Sequence, residues 1–340
     1  MDFDLLQLAA LRSAVDEGTF EATARALRVT PSAVSQRIKA LESSVGRVLL
    51  TRTKPIRPTE SGVALLRLAR QIGTLADDVS RSLGEAGGSG DGTEGGSGLS
   101  TGPGSPGFLP VRMPIAVNAD SLATWLLPGL AGLAAEVAFE FFREDEGHTT
   151  ALLREGTVTA AVTATAHPVQ GCSSTPLGVM RYEPMASRAF LARWFPDGVT
   201  AEALDRAPVV IFDRRDQLQD VYLRSRGGLS GGAEARPTDP PRHFVPGSVD
   251  FVEAVRLGYG WGMVPEQQQD QRQPQRPRAE AAAAADDPQA LVRIDAGYVV
   301  DVPLYWQQWQ LHTPTLARVD RKSTRLNSSH YQPSRMPSSA

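Results

Sequence analysis

One cysteine, Cys172, is all the sequence holds in 340 residues. That excludes an internal disulfide framework and suits a reducing compartment. A lone thiol with no resolving partner reads as inert rather than as a redox sensor. The histidines His148, His167, His243, His312 and His330 are scattered without ligand spacing. HExxH, CxxC, GxSxG and P-loop patterns are all missing, so no motif asks for a metal, a cofactor or a catalytic nucleophile. A protein that is not an enzyme and carries no cofactor is expected. No run approaches the ~20 apolar residues that span a bilayer. The opening stretch MDFDLLQLAALRSAVDEG has no basic flank ahead of an apolar run, so no signal peptide is expected and the setting should be cytoplasmic, without a membrane partner. Strong overall charge is lacking too: the formal net value is −3, so any attraction for nucleic acid has to be local.

Such a local concentration exists. Between Phe20 and Arg57 stand Arg25, Arg28, Arg37, Lys39, Arg47, Arg52, Lys54 and Arg57 against Glu21 and Glu42. Eight cations against two acids leave +6 on a short stretch of an acidic chain, an electrostatic footprint for double-stranded DNA. The pattern within it, FEATARALRVTPSAVSQRIKALE, spells two short helices around a turn at Arg28-Val29. Thr30 is a natural N-cap, and Pro31 fits the first helical position, where a missing N–H costs nothing. Val34, Ile38 and Leu41 share one face of the second helix. Ser32, Ser35, Gln36 and Lys39 share the opposite one and suit base edges and phosphates in a major groove. Ala24 lets the helices cross closely. An ordinary αα-hairpin has the same outline; the charge favours a helix-turn-helix. After it, VLLTRTKPIRP reads as a short β-ribbon, a wing carrying Arg52, Lys54 and Arg57. The expected DNA contacts are therefore Arg25, Thr30, Pro31, Ser32, Ser35, Gln36, Arg37, Lys39, Arg52, Lys54 and Arg57.

Thr59 can cap a long helix to about Leu83, on which Leu65, Leu68, Ile72, Leu75 and Val79 step by 3 and 4. A seam of that period points to a homodimer through this helix; packing on its own domain is the other reading. GEAGGSGDGTEGGSGLSTGPGSPG, residues 84–107, is a flexible linker. From Val111 strand and helix patterns alternate, which predicts an α/β domain with largely parallel sheets. Gln267–Asp287 is read as an exposed insertion, and Arg321–Ala340, without periodicity, as an unstructured tail foreign to the domain. The expected division is 1–58 for an all-α winged helix-turn-helix, 59–83 for a dimerisation helix, 84–107 for the linker, 108–320 for a regulatory domain and 321–340 for the tail.

Taken together these features resemble the LysR-type transcriptional regulators. SAVSQRIKALE (32–42) and RPTESG (57–62) are similar to that family's recognition helix and linker-helix start. VNADSLATWLLPGLA (117–131), REDE (143–146), FPDGVT (195–200), APVVIFD (207–213) and LYW (304–306) resemble its ArgP/LysG (IciA-like) branch. The resemblance implies a homotetrameric regulator with a two-lobed, periplasmic-binding-protein-like effector domain. Lobe one would be about 111–181 plus 305–320, lobe two about 182–304, and lysine or arginine would bind between them and switch on an exporter gene. Asn118, Asp120, Ser121, Asp145 and Asp213, at expected strand ends, are the candidate effector residues. A helix N-terminus at Ser121 would take the carboxylate, and the acids would take the cationic groups. More ordinary roles are helix capping for Asp120 and Ser121 and solvation for Asp145. An effector-independent chromosome- or origin-binding protein is the rival function. The departures from the family are the inflated linker, the insertion at 267–287 and the early end of the final helix after about Asp320.

Overall fold

The computed structural model describes residues 3–86, 110–144, 146–227, 239–269, 287–311 and 313–328. They fall into two compact units. Residues 1–118, 129–176 and 305–325 form the first, and 119–128, 177–304 and 326–340 the second. The expected linker, from residue 87 onward, lies outside the described residues.

The first unit opens with the expected trihelical element. Helix α1 (Leu5–Glu17) starts where the Asp4 carboxylate accepts the N–H groups of Leu6 and Gln7 and stops at Gly18, φ 72°. Helix α2 (Phe20–Ala26) is capped by Thr19. Helix α3 (Pro31–Val45) is capped by Thr30, whose Oγ1 accepts the Ala33 N–H at 3.2 Å, and ends at Gly46, φ 72°. Leu8, Leu11 and Ala14 of α1, Ala24 of α2 and Val34, Ile38 and Leu41 of α3 close one core with Leu49, Leu50 and Ile56. Strands β1 (Leu50–Thr51) and β2 (Arg57–Pro58) pair antiparallel and make the wing. Glu42, near the end of α3, accepts the N–H of Leu49 at 2.9 Å and of Leu50 at 3.4 Å.

Helix α4 (Glu60–Ala86) runs slightly past the expected Leu83, and Thr59 caps it through the Gly62 N–H at 3.1 Å. Its seam divides. Leu65 and Ile72 pack against the trihelical core, whereas Leu75 and Val79 remain 39% and 57% exposed. The early turns thus complete the chain's own domain, and the later ones leave an apolar stripe in solvent.

The rest of the first unit is a sheet. Strand β3 (Val111–Val117) lies parallel to β4 (Val137–Arg143) and to β5 (Ala160–Thr163). Helix α7 (Glu146–Glu155) joins β4 to β5. Strand β11 (Val300–Trp309) pairs antiparallel to β5, Trp306 opposite Val162. Between β3 and β4, where residues 119–128 belong to the second unit, the helical stretch is broken: α5 (Ala119–Ser121), a π turn over Leu122–Leu126, α6 (Leu127–Leu130) and a 3-10 turn over Ala131–Leu133. Pro128 has no N–H for the carbonyl one turn back, and the Thr124 hydroxyl takes the Asp120 carbonyl at 2.6 Å.

In the second unit β6 (Cys172–Ser187) pairs antiparallel with β9 (Gly262–Pro265) and β10 (Leu291–Arg293). Strand β7 (Val209–Ile211) runs parallel to β8 (Arg242–Phe244). Helices α8 (Arg188–Trp194), α9 (Ala201–Arg206), α10 (Leu218–Gly227), α11 (Ser248–Arg256) and α12 (Glu266–Gln269) complete it.

Three expectations need correction. The sheets are not largely parallel, because β6 and β11 are not reached through a helical crossover and nothing obliges them to run with their neighbours. The insertion does not begin at Gln267: α12 extends through Gln269, Gln268 is buried, and Gln269 donates to Glu183 at 2.9 Å. The remainder of that insertion lies outside the described residues. The tail does not begin at Arg321 either. Helix α13 (Pro314–Ser328) crosses that point, burying Leu316, Val319 and Ser323 at helical spacing. Ser323 is polar, so a search for apolar residues misses this buried position. Residues 329–340 lie outside the described residues.

Candidate functional site

Two surfaces carry the sequence-based site residues. On the first, burial of Val34, Ile38 and Leu41 fixes the roll of α3 and leaves Ser32, Gln36 and Lys39 exposed, with Ser35 and Arg37 half-buried. Thr30 and Pro31 build the helix start, and Thr30 already uses its oxygen there. Arg25 lies in the last turn of α2. Arg52, Lys54 and Arg57 are exposed on the wing. An α-helix with polar side chains outward, flanked by cations on a ribbon, has the shape of a major groove reader with phosphate contacts beside it. Gln36→Ala should cost about 1–3 kcal/mol at a specific site and relax base preference there, while Arg52→Ala should weaken all duplexes alike and flatten the salt dependence. Fluorescence anisotropy against matched and mismatched duplexes reads both.

The second surface is a polar cluster within the second unit. Asp120, in α5, accepts the Tyr182 hydroxyl at 2.7 Å on Oδ2 and the Ser248 hydroxyl on Oδ1. Ser248, the first residue of α11, in turn accepts the side-chain amide of Gln268 at 2.5 Å. The other end of that buried amide, Oε1, has no hydrogen-bond partner among the described residues. Asp216 is near enough to feel the Asp120 charge. Burial holds its carboxyl above the usual range, hydrogen bonds from Leu218, Phe212 and Gln219 act against that, and Asp120 pushes it further up. The site is therefore rich in acceptors: two carboxylates that repel one another and a buried amide oxygen awaiting a donor. Such a site favours a cation with several N–H groups.

The other candidates are placed less centrally. Ser121 is buried in α5, and Asn118 is half-buried just after β3. Asp213 shapes a turn, its Oδ1 accepting the N–H groups of Arg215 at 2.7 Å and Asp216 at 3.1 Å. Asp145 lies outside the described residues. Sequence reasoning missed Tyr182, Asp216, Ser248 and Gln268. Only Asp216 left a signal, an acid just ahead of a helix and three residues beyond Asp213. Gln268 was hidden in a glutamine-rich run.

A separate crevice of about 490 Å³ in the second unit is bordered by Thr200, Glu202, Arg226 and Asp295. Its principal charges are already joined, Arg226 to Asp295 with Tyr222 on the same carboxylate. Burial pushes the Cys172 thiol up despite the Arg67 guanidinium, which disfavours the reactive thiolate. Among the described residues no group of His, Cys, Asp or Glu is placed to hold a metal ion. No described helix is long and apolar enough to cross a membrane.

The chain is similar to known proteins. The family model described as bacterial regulatory helix-turn-helix protein, lysR family, matches residues 5–63. The HTH-type transcriptional regulator LysG of Mycobacterium bovis is 43% identical over 319 residues, covering 92% of this chain and 90% of its own. The lysine export transcriptional regulatory protein LysG of Corynebacterium efficiens is 40% identical over 316 residues, with 92% and 94% covered. Among solved structures, full-length LysG from Corynebacterium glutamicum with bound effector Arg superposes with a TM-score of 0.70 at 33% identity, over 96% of this chain and 99% of that one.

Proposed function

The chain belongs to the LysR family as a DNA-binding transcriptional regulator of the LysG/ArgP type, and from that premise we propose that its effector is a free basic amino acid, arginine or lysine, and that it activates an exporter gene for that class. The observation that carries the effector reading is the surplus of acceptors at Asp120, Asp216 and Gln268 Oε1. An ammonium or guanidinium would relieve the repulsion between the two acids and supply the missing donor. Ser121, next to Asp120 in α5, would meet the amino acid's carboxylate end, and Asp213 would hold the turn that presents Asp216. The arginine bound by the Corynebacterium glutamicum relative supports the ligand class, and the name of the Corynebacterium efficiens relative supports the exporter. On the DNA side, a homodimer through α4, assembling further to a homotetramer, would set two recognition helices one helical turn apart. Such a protein would act in the cytoplasm.

Calorimetry of the full chain with arginine, lysine, norleucine and methionine tests the reading. The two basic ligands should bind and the neutral ones of similar length should bind weakly or not at all. Equal affinity for neutral ligands would show that the site reads something other than charge. DNA binding indifferent to arginine and lysine would favour the effector-independent chromosome binder instead.

A further inference from the structure

The helices of the DNA-reading element end with the same chain reversal but not with the same residue. Helices α1 and α3 close on Gly18 and Gly46, both with φ 72°. Helix α2 closes two residues after Ala26: the Arg28 N–H donates to the Arg25 carbonyl at 3.2 Å and the Val29 N–H to the Ala24 carbonyl at 2.9 Å. That pair of bonds requires a left-handed residue between them, the position at which glycine is favoured because it has no Cβ to clash. Here the residue is Arg28, φ 54°, the one non-glycine with positive φ among the described residues.

The Arg28 side chain does nothing within the described residues to offset the strain. Arg28 is exposed, and its guanidinium has no hydrogen-bond or ion-pair partner among the described residues. It stands two residues before Thr30, the cap of α3, and beyond Arg25 at the end of α2. The guanidinium thus flanks the end of the recognition helix that enters the groove. The turn serves the fold, but the arginine in it does not, and a strained position kept in a residue that glycine could replace points to a function.

We infer that Arg28 is a DNA-backbone residue: its guanidinium binds a phosphate beside the entry point of α3, and the left-handed turn is retained in arginine for that contact. The charge is what matters, and the strain is separable from it.

Three variants of the full chain, Arg28→Gly, Arg28→Ala and Arg28→Lys, separate the two. Binding to a mixed-sequence duplex of about 40 base pairs is followed against salt, and amide exchange is followed over α2 and α3. Loss of one phosphate contact makes the slope of log K against log salt shallower by about 0.9 for each bound copy. The glycine and alanine variants should both show that change, and the lysine variant should keep the original slope. Only the glycine variant should exchange its α2 and α3 amides more slowly than the parent, because only glycine relieves the strained turn. An unchanged salt slope in the glycine and alanine variants would overturn the phosphate contact. Unchanged or faster exchange in the glycine variant would overturn the claim that arginine is held there under strain.

Discussion

Asp216→Asn in the full chain is expected to lower arginine and lysine affinity roughly thirtyfold or more while leaving effector-free DNA binding near its original strength. Removing one partner from a buried, hydrogen-bonded charge pair costs about 2–5 kcal/mol, far above the loss of a solvated charge. Asparagine keeps the volume and some of the hydrogen bonds to Phe212 and Leu218, so the change acts mainly on charge. Asp120→Asn should act in the same direction, since its carboxylate holds Tyr182 and Ser248 and its charge reaches Asp216. The sign of the pH dependence follows. A cation binds the ionised acid, and burial together with Asp120 holds Asp216 above the usual carboxylate range. Protons therefore compete with the effector as pH falls through that raised value, and affinity should weaken on acidification earlier than an ordinary carboxylate would dictate. The Asp216→Asn protein should lose that earlier weakening. Calorimetry at several pH values decides it; full affinity in both asparagine variants would place the effector elsewhere.

The double variant Leu75→Glu with Val79→Glu should separate the protein into monomers and lower operator affinity on the order of a hundredfold or more, the loss expected when two linked DNA contacts become independent. Both side chains are substantially exposed in the single chain, 39% and 57%, so the substitution leaves its core alone. In a dimer seam the same carboxylates would be buried against apolar surface and against one another. Leu65 and Ile72 are unsuitable for this test because they pack on the chain's own trihelical core, and changing them would confuse unfolding with dissociation. Sedimentation equilibrium gives the mass and an electrophoretic shift the affinity. A double variant that stays dimeric at micromolar concentration would exclude this stripe as the interface.

The DNA-reading half was legible because its signals are local. Thr30 and Pro31 start a helix whatever lies elsewhere in the chain, and Val34, Ile38 and Leu41 announce the buried face within two turns. The wing followed from the short run after Gly46, and the α/β half from strand and helix alternation. The long strand CSSTPLGVMRYEPMAS escaped notice because proline and glycine interrupt it and its burial does not alternate. The polar cluster could not be assembled in advance. Asp120, Tyr182, Asp216, Ser248 and Gln268 come from separate elements, and no spacing along the chain records a meeting made by folding. The sequence pointed to acids at strand ends, and what sets Asp216 apart from Asp213, a carboxyl held above its usual range by its surroundings, is not written in any spacing.

Glu42 gives the DNA-reading element a mechanical property. Its carboxylate grips the chain at Leu49 and Leu50, so the strand that begins the wing is pinned to the last turns of α3. Helix and ribbon then behave as one stiff jaw. A shift of the helix would carry the wing with it, and a pull on the wing would turn the helix. The roll of the helix and the position of the ribbon are geared together in such a jaw, and the gear is the Glu42 carboxylate.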